Sequence, residues 1–158
     1  MFPLKMILCP TDFSEPSYEA LRIAVELAKH FKAALDVIHV IPPVPVHSPY
    51  PDPPVASSGD EPLHQQEMAV DSEKALISLV ERRVPKQITT FATVLTGEAA
   101  QKIVDFAVRE RIDLIVMATH GLTGWRHFMT GSVTEKVVRL APCPVLAIRP
   151  PQAEKQEK

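Results

Sequence analysis

The sequence predicts a single doubly wound α/β domain, because five short apolar strands, each separated from the next by one helical segment, call for parallel pairing with right-handed crossovers. Two observations carry this prediction. The strand candidates are continuous apolar runs rather than alternating ones, as expected of strands covered on both faces. The stretches between them repeat apolar residues at helical spacing. A length of 158 residues, 46% hydrophobic and 23% charged, suits one domain whose core needs neither disulfides nor a structural metal.

Lys5 to Cys9 reads as the first strand, closed by Pro10 and followed by the turn and cap chemistry of Thr11-Asp12-Phe13-Ser14. From Glu15 the spacing of Leu21, Ala24, Val25, Ala28 and Phe31 predicts the first helix, with Ser14 as its N-cap and Pro16 in its first turn. Leu35 to Ile41 is the second strand. Residues 42–62 hold eight of the sixteen prolines, so they are expected to form a long surface loop with neither helix nor central strand. Leu63 to Val84 is the second helix, stopped before Pro85, and Ile88 to Leu95 the third strand. Thr96-Gly97-Glu98 turns the chain into a third helix reaching Arg111, whose buried stripe is Ala99, Ile103, Phe106 and Ala107. Leu114 to Ala118 is the fourth strand, Ser132 to Leu140 the fourth helix and Pro144 to Ile148 the fifth strand. The expected domain is therefore 1–150, with strand order 3-2-1-4-5 and a polar tail at 151–158. In such sheets ligands sit beyond the carboxyl ends of the strands, where the strand order reverses.

Composition narrows the function classes. Seventeen Lys and Arg against nineteen Asp and Glu give a net charge of -2, with no basic run able to neutralise several phosphates, so nucleic-acid binding is not expected. The apolar runs fall far short of the roughly 18 residues of a membrane span, and the start of the chain lacks a secretory pattern, so the expected location is cytoplasmic. Cys9 and Cys143 lie in no CxxC or Cys/His spacing and read as reduced structural thiols.

Three of only five glycines fall at Gly121, Gly124 and Gly131, between a buried strand and a helix. Converging amide N–H groups there, with the positive end of the helix from Ser132, would suit a phosphate. Ser132-Val133-Thr134-Glu135 also matches a capping box that satisfies the helix without a ligand. The run is neither a Walker P-loop nor a Rossmann fingerprint. Asp12, directly behind the first strand, reads as an Asx-type turn or helix cap.

Pro10-Thr11-Asp12-Phe13-Ser14, His120-Gly121 ahead of Gly131-Ser132-Val133-Thr134-Glu135, and Pro142-Cys143-Pro144-Val145-Leu146 together resemble the universal stress protein family over nearly the whole chain. The nucleotide-binding branch has Gly, two residues, Gly, nine residues, then Gly followed by Ser or Thr. Gly121, Gly131 and Ser132 match, whereas the first position is Ala118. The resemblance implies an ATP site in which Pro10, Thr11 and Asp12 line the adenine and ribose side and Val40 closes over the base. Met117 and Ala118 would border the ribose and α-phosphate, and Gly121, Gly131, Ser132 and Val133 would meet the phosphates. His120 and Arg126 would add positive charge, and magnesium or manganese would accompany ATP through phosphate oxygens and water. His39 is read as structural or solvent-facing. No triad, HExxH or paired-carboxylate spacing stands out, so at most slow ATP hydrolysis is expected. The expected role is stress signalling through nucleotide-dependent ordering of residues 119–130, by a homodimer joined through Val145, Leu146, Ala147 and Ile148. The alternatives are a dimeric adaptor of the same family that holds no nucleotide, and an adenylate-handling α/β enzyme. Pro10-Thr11-Asp12 stands where related pyrophosphatases carry a Ser-Gly-Gly type loop, which argues against the latter.

Overall fold

A computed structural model describes residues 4–43, 60–119 and 132–149. Five parallel strands, β1 (Met6–Pro10), β2 (Ala34–Ile41), β3 (Thr90–Thr96), β4 (Leu114–Ala118) and β5 (Val145–Ile148), form one sheet in the order β3-β2-β1-β4-β5. Four helices alternate with them: α1 (Glu15–Phe31), α2 (Asp60–Arg83), α3 (Ala99–Arg109) and α4 (Ser132–Leu140). The expected fold class and strand order are both observed.

The continuous apolar runs have their physical cause in two cores. On one face Ile7, Cys9, Leu35 and Val37 pack with Leu21, Ala24 and Val25 of α1 and Leu76 and Leu79 of α2. On the other, Leu8, Ile38, Ile115 and Met117 pack with Ile103 and Phe106 of α3 and Val137 of α4. Successive residues of a central strand point to opposite faces, so both parities must be apolar.

Local chemistry sets the helix ends. Ser14 caps α1, and Lys32 ends it in the left-handed region at φ 55°. Glu98 caps α3 by accepting from the Gln101 N–H at 2.8 Å, and its other carboxylate oxygen lies 3.5 Å from Lys136 on α4. Gly97, at φ 145°, makes the turn between β3 and α3, a conformation that L side chains rarely adopt.

Three boundaries differ from expectation by two residues or more, and helix α3 is one of them: it ends at Arg109 and not Arg111, which lies in the left-handed region at φ 53°. Helix α2 begins at Asp60, inside the expected proline-rich loop, because Pro62 falls in the first helical turn, where a missing N–H costs nothing. Strand β3 starts at Thr90 and not Ile88, which is buried against the core ahead of the strand. The rest of that loop, residues 44–59, and the tail 151–158 lie outside the described residues. Cys9 is fully buried, which pushes its thiol up to about 12, and Cys143 is half-buried and also raised by burial; both are free thiols. Among the described residues no helix is long and apolar enough to cross a membrane.

Candidate functional site

The opening at the carboxyl end of the sheet begins with a missing hydrogen. The Thr11 N–H bonds to the Ile38 carbonyl on β2 at 2.8 Å, so by strand alternation the nitrogen of Pro10 faces β4. Proline has no N–H to continue that ladder. Pairing between β1 and β4 accordingly stops after Ile7↔Leu114 and Leu8↔Ile115, whereas β1 and β2 stay paired from Met6↔Ala34 to Pro10↔Ile38. Strands β1 and β4 are also the point where the strand order reverses, so the break in pairing coincides with the crevice that fold rules predict.

The turn from β1 into α1 is built from its own hydroxyls. Thr11 Oγ1 accepts from the Phe13 N–H at 3.1 Å and lies 2.9 Å from Ser17 Oγ. Ser17 Oγ donates to the Ser14 carbonyl at 2.8 Å, so its single hydrogen is spent and Thr11 is the donor to Ser17. Asp12 Oδ1 accepts from both the N–H and the hydroxyl of Ser14, so the Asx-turn reading of Asp12 holds for that oxygen. These bonds fix Phe13 in the left-handed region at φ 62°, uncommon for an aromatic residue. They also satisfy the buried polar side chains of Thr11, Ser14 and Ser17.

Across the opening, Met117 is buried, while Val40 and Val133 pack half-buried against the same core cluster. The fold thus gathers side chains from the ends of β2 and β4 and from the start of α4. Ala118 pairs with Ile148 of β5 and has no positive φ, so nothing in its backbone requires glycine. Its carbonyl accepts the Thr134 hydroxyl at 2.8 Å, which ties the first turn of α4 to the end of β4. Helix α4 begins at Ser132 itself, whose side chain is exposed at the helix N-terminus. Of the expected site residues, Pro10, Thr11, Asp12, Val40, Met117, Ala118, Ser132 and Val133 are described, whereas His120, Gly121, Arg126 and Gly131 fall outside the described residues, as does the expected ordering of 119–130 for all but Thr119.

Two site neighbours escape the sequence reading. Thr134 is one, half hidden in the motif that reads as a capping box. The other is His39, whose Nδ1 lies 2.8 Å from the Thr11 carbonyl and whose ring sits 4.5 Å from that of Phe13. The only sequence signal for it is a lone imidazole at the apolar end of a central strand.

Among the described residues no three His, Cys, Asp or Glu side chains gather as a metal centre. A surface hollow of about 350 Å³ lies along α2 at Glu67, Val70, Asp71 and Lys74, on an element that contributes nothing to the opening. We give more weight to the β1/β4 opening, since it lies where backbone pairing ends and apolar side chains of three elements converge.

Residues 3–149 match the universal stress protein family. A universal stress protein of Methanocaldococcus jannaschii is 34% identical over 95% of this chain and 85% of its own length. The chain belongs to the universal stress protein family. The universal stress protein UspA of Lactobacillus plantarum superimposes with a TM-score of 0.77 at 25% identity, covering 94% of this chain and 100% of its own. Two further family structures share the fold at lower identity. One, in complex with dAMP and from Archaeoglobus fulgidus, has a TM-score of 0.58 at 20% identity and covers 94% of this chain and 99% of its own. The other, in complex with cAMP, has a TM-score of 0.64 at 18% identity, over 92% of this chain and 97% of its own.

Proposed function

We propose that this universal stress protein binds an adenine nucleotide, ATP with magnesium or manganese, in the opening between β1 and β4, and that it serves stress signalling from the cytoplasm. The observation that carries this reading is the early end of the β1–β4 ladder. It leaves Pro10, Thr11 and Asp12 on one side and Met117 and Ala118 on the other, with Val40 and the start of α4 alongside. The family structures holding dAMP and cAMP support an adenine guest. The N-terminus of α4, with Ser132 exposed, suits a phosphate together with Gly121 and Gly131. His120 and Arg126 add charge from the same segment. The metal fits as an ion held by phosphate oxygens and water, for which no protein carboxylate cage is needed. We assign no catalytic residue.

The test is calorimetric titration of nucleotide-stripped protein with ATP and magnesium. Dissociation constants on the order of micromolar are expected, equivalent to about 8 kcal/mol of binding free energy. Ala118→Gly is expected to bind as the native protein does, because Ala118 already sits in ordinary extended backbone. Native silence with binding restored in Ala118→Gly would mean that the Ala118 methyl closes the site. Silence in both would leave the dimeric adaptor of the same family.

A homodimer through β5 belongs to the same proposal. Strand β5 is a sheet edge with Leu146 38% exposed, and Val138 and Leu140 of α4 are more than half exposed. An unprotected apolar edge strand invites pairing. Sedimentation at micromolar concentration is expected to give a dimer that Leu146→Lys converts to monomer; a monomeric native protein would refute it.

A further inference from the structure

We propose that His39 is a positioning residue of the nucleotide site. Its imidazole takes the Thr11 carbonyl away from the β-ladder and so leaves the Val40 N–H, which has no main-chain partner among the described residues, as a donor for a base. The inference rests on the nucleotide reading above. A carbonyl only accepts, so the contact at 2.8 Å requires a hydrogen on His39 Nδ1. The ring of Phe13, 4.5 Å away and tilted by 40°, packs against the imidazole. Alternation along β2 does the rest. The Ala34 N–H bonds to Lys5 O on β1, so the N–H groups of residues 36, 38 and 40 face β1 as well. The next rung after Thr11 N–H to Ile38 O would be Val40 N–H to Thr11 O. That rung is absent, and the ladder ends at Pro10↔Ile38.

A side chain thus replaces a main-chain donor at the last step, and the Val40 amide is left at the mouth of the opening beside a half-buried Val40 side chain. An N–H in such a place fits a ring-nitrogen acceptor on the edge of a flat heterocycle, the chemistry of a purine base. A phosphate or a sugar is not required to explain it. His39 would touch no nucleotide atom; it would act through Thr11 and Val40.

The experiment compares wild type, His39→Leu and His39→Asn by residue-resolved amide exchange without ligand, then by calorimetry with magnesium ATP. Asparagine keeps an N–H donor close to the position of Nδ1, whereas leucine keeps only the apolar contact with Phe13. In wild type the Val40 amide is expected to exchange at least about tenfold faster than that of Ile38, the contrast between an unpaired and a paired amide. In His39→Leu it should slow, as Val40 captures the Thr11 carbonyl. ATP affinity should fall about tenfold in His39→Leu, the loss of one aligned hydrogen bond, and stay near wild type in His39→Asn. Equal protection of Val40 and Ile38 in wild type overturns the proposal. So does undiminished affinity of His39→Leu beside a wild type that binds. Wild type that binds no ATP defeats the nucleotide reading and this proposal's ligand with it, while the exchange data still report whether His39 ends the ladder.

Discussion

Ile38→Ala is expected to lower the unfolding free energy by about 2–5 kcal/mol, the range for truncating a fully buried branched side chain in a core that collapses only in part. Ile38 is wholly inaccessible and sits among Leu8, Phe106, Ile115 and Met117, on the face covered by α3 and α4. Its position matters as much as its burial. It pairs with Pro10, its carbonyl receives the Thr11 N–H, and His39 follows it. A cavity there would open beside Pro10, its pairing partner at the end of β1. Urea unfolding should show a lower midpoint at unchanged slope, since the surface exposed on unfolding is nearly the same. A ligand that binds only the folded state adds about 2.7 kcal/mol at a hundredfold excess over its dissociation constant. If the nucleotide proposal holds, saturating ATP should therefore restore a large part of the loss. A cost below about 1 kcal/mol would mean that the cores do not divide as described.

The architecture is legible in the chain because both faces of the central strands are covered, so β1 and β4 stand out as apolar runs and β2 as one interrupted only by Asp36 and His39, between helical stretches. Pro10 and the hydroxyl turn after it are legible for a different reason, since proline and small polar residues have few other uses directly behind a central strand. What escapes is whatever depends on partners distant in sequence. His39 meets a carbonyl 28 residues away, and Thr134 one 16 residues away, each brought into reach only by strand pairing. Ile88 escapes for the opposite reason, because an apolar residue before a strand looks like part of it until its place in the core is known. Asp36 is the clearest case. Inside the run from Leu35 to Ile41 it is the one acidic residue, and nothing local in the sequence says that its carboxyl is buried.

That carboxyl gives the second large effect, a gain: Asp36→Asn is expected to stabilise the protein at neutral and alkaline pH by about 1–3 kcal/mol. Asp36 pairs with Leu8 on one side and Phe91 on the other, and it is 4% exposed. Burial, with the negative charge of Glu110 as a lesser cause, raises its carboxyl to about 6 from an ordinary 3.8. A group that holds its proton more tightly when folded favours folding while it is protonated. The folded state is therefore unburdened by Asp36 below about pH 4, loses stability as pH rises from there to about 6, and bears the whole cost above it. Two pKa units correspond to roughly 2.7 kcal/mol, of which asparagine recovers only part, because an amide in that place is still a buried polar group. The difference between variant and native unfolding free energies should grow from pH 4 to pH 6 and then level off. Taking the difference removes the titration of every carboxylate that does not interact with Asp36. A difference that stays flat across that interval would mean that Asp36 is solvated in the folded protein, and a variant less stable at pH 8 would mean that its ionised carboxylate is held by a donor whose loss outweighs the relief of burial.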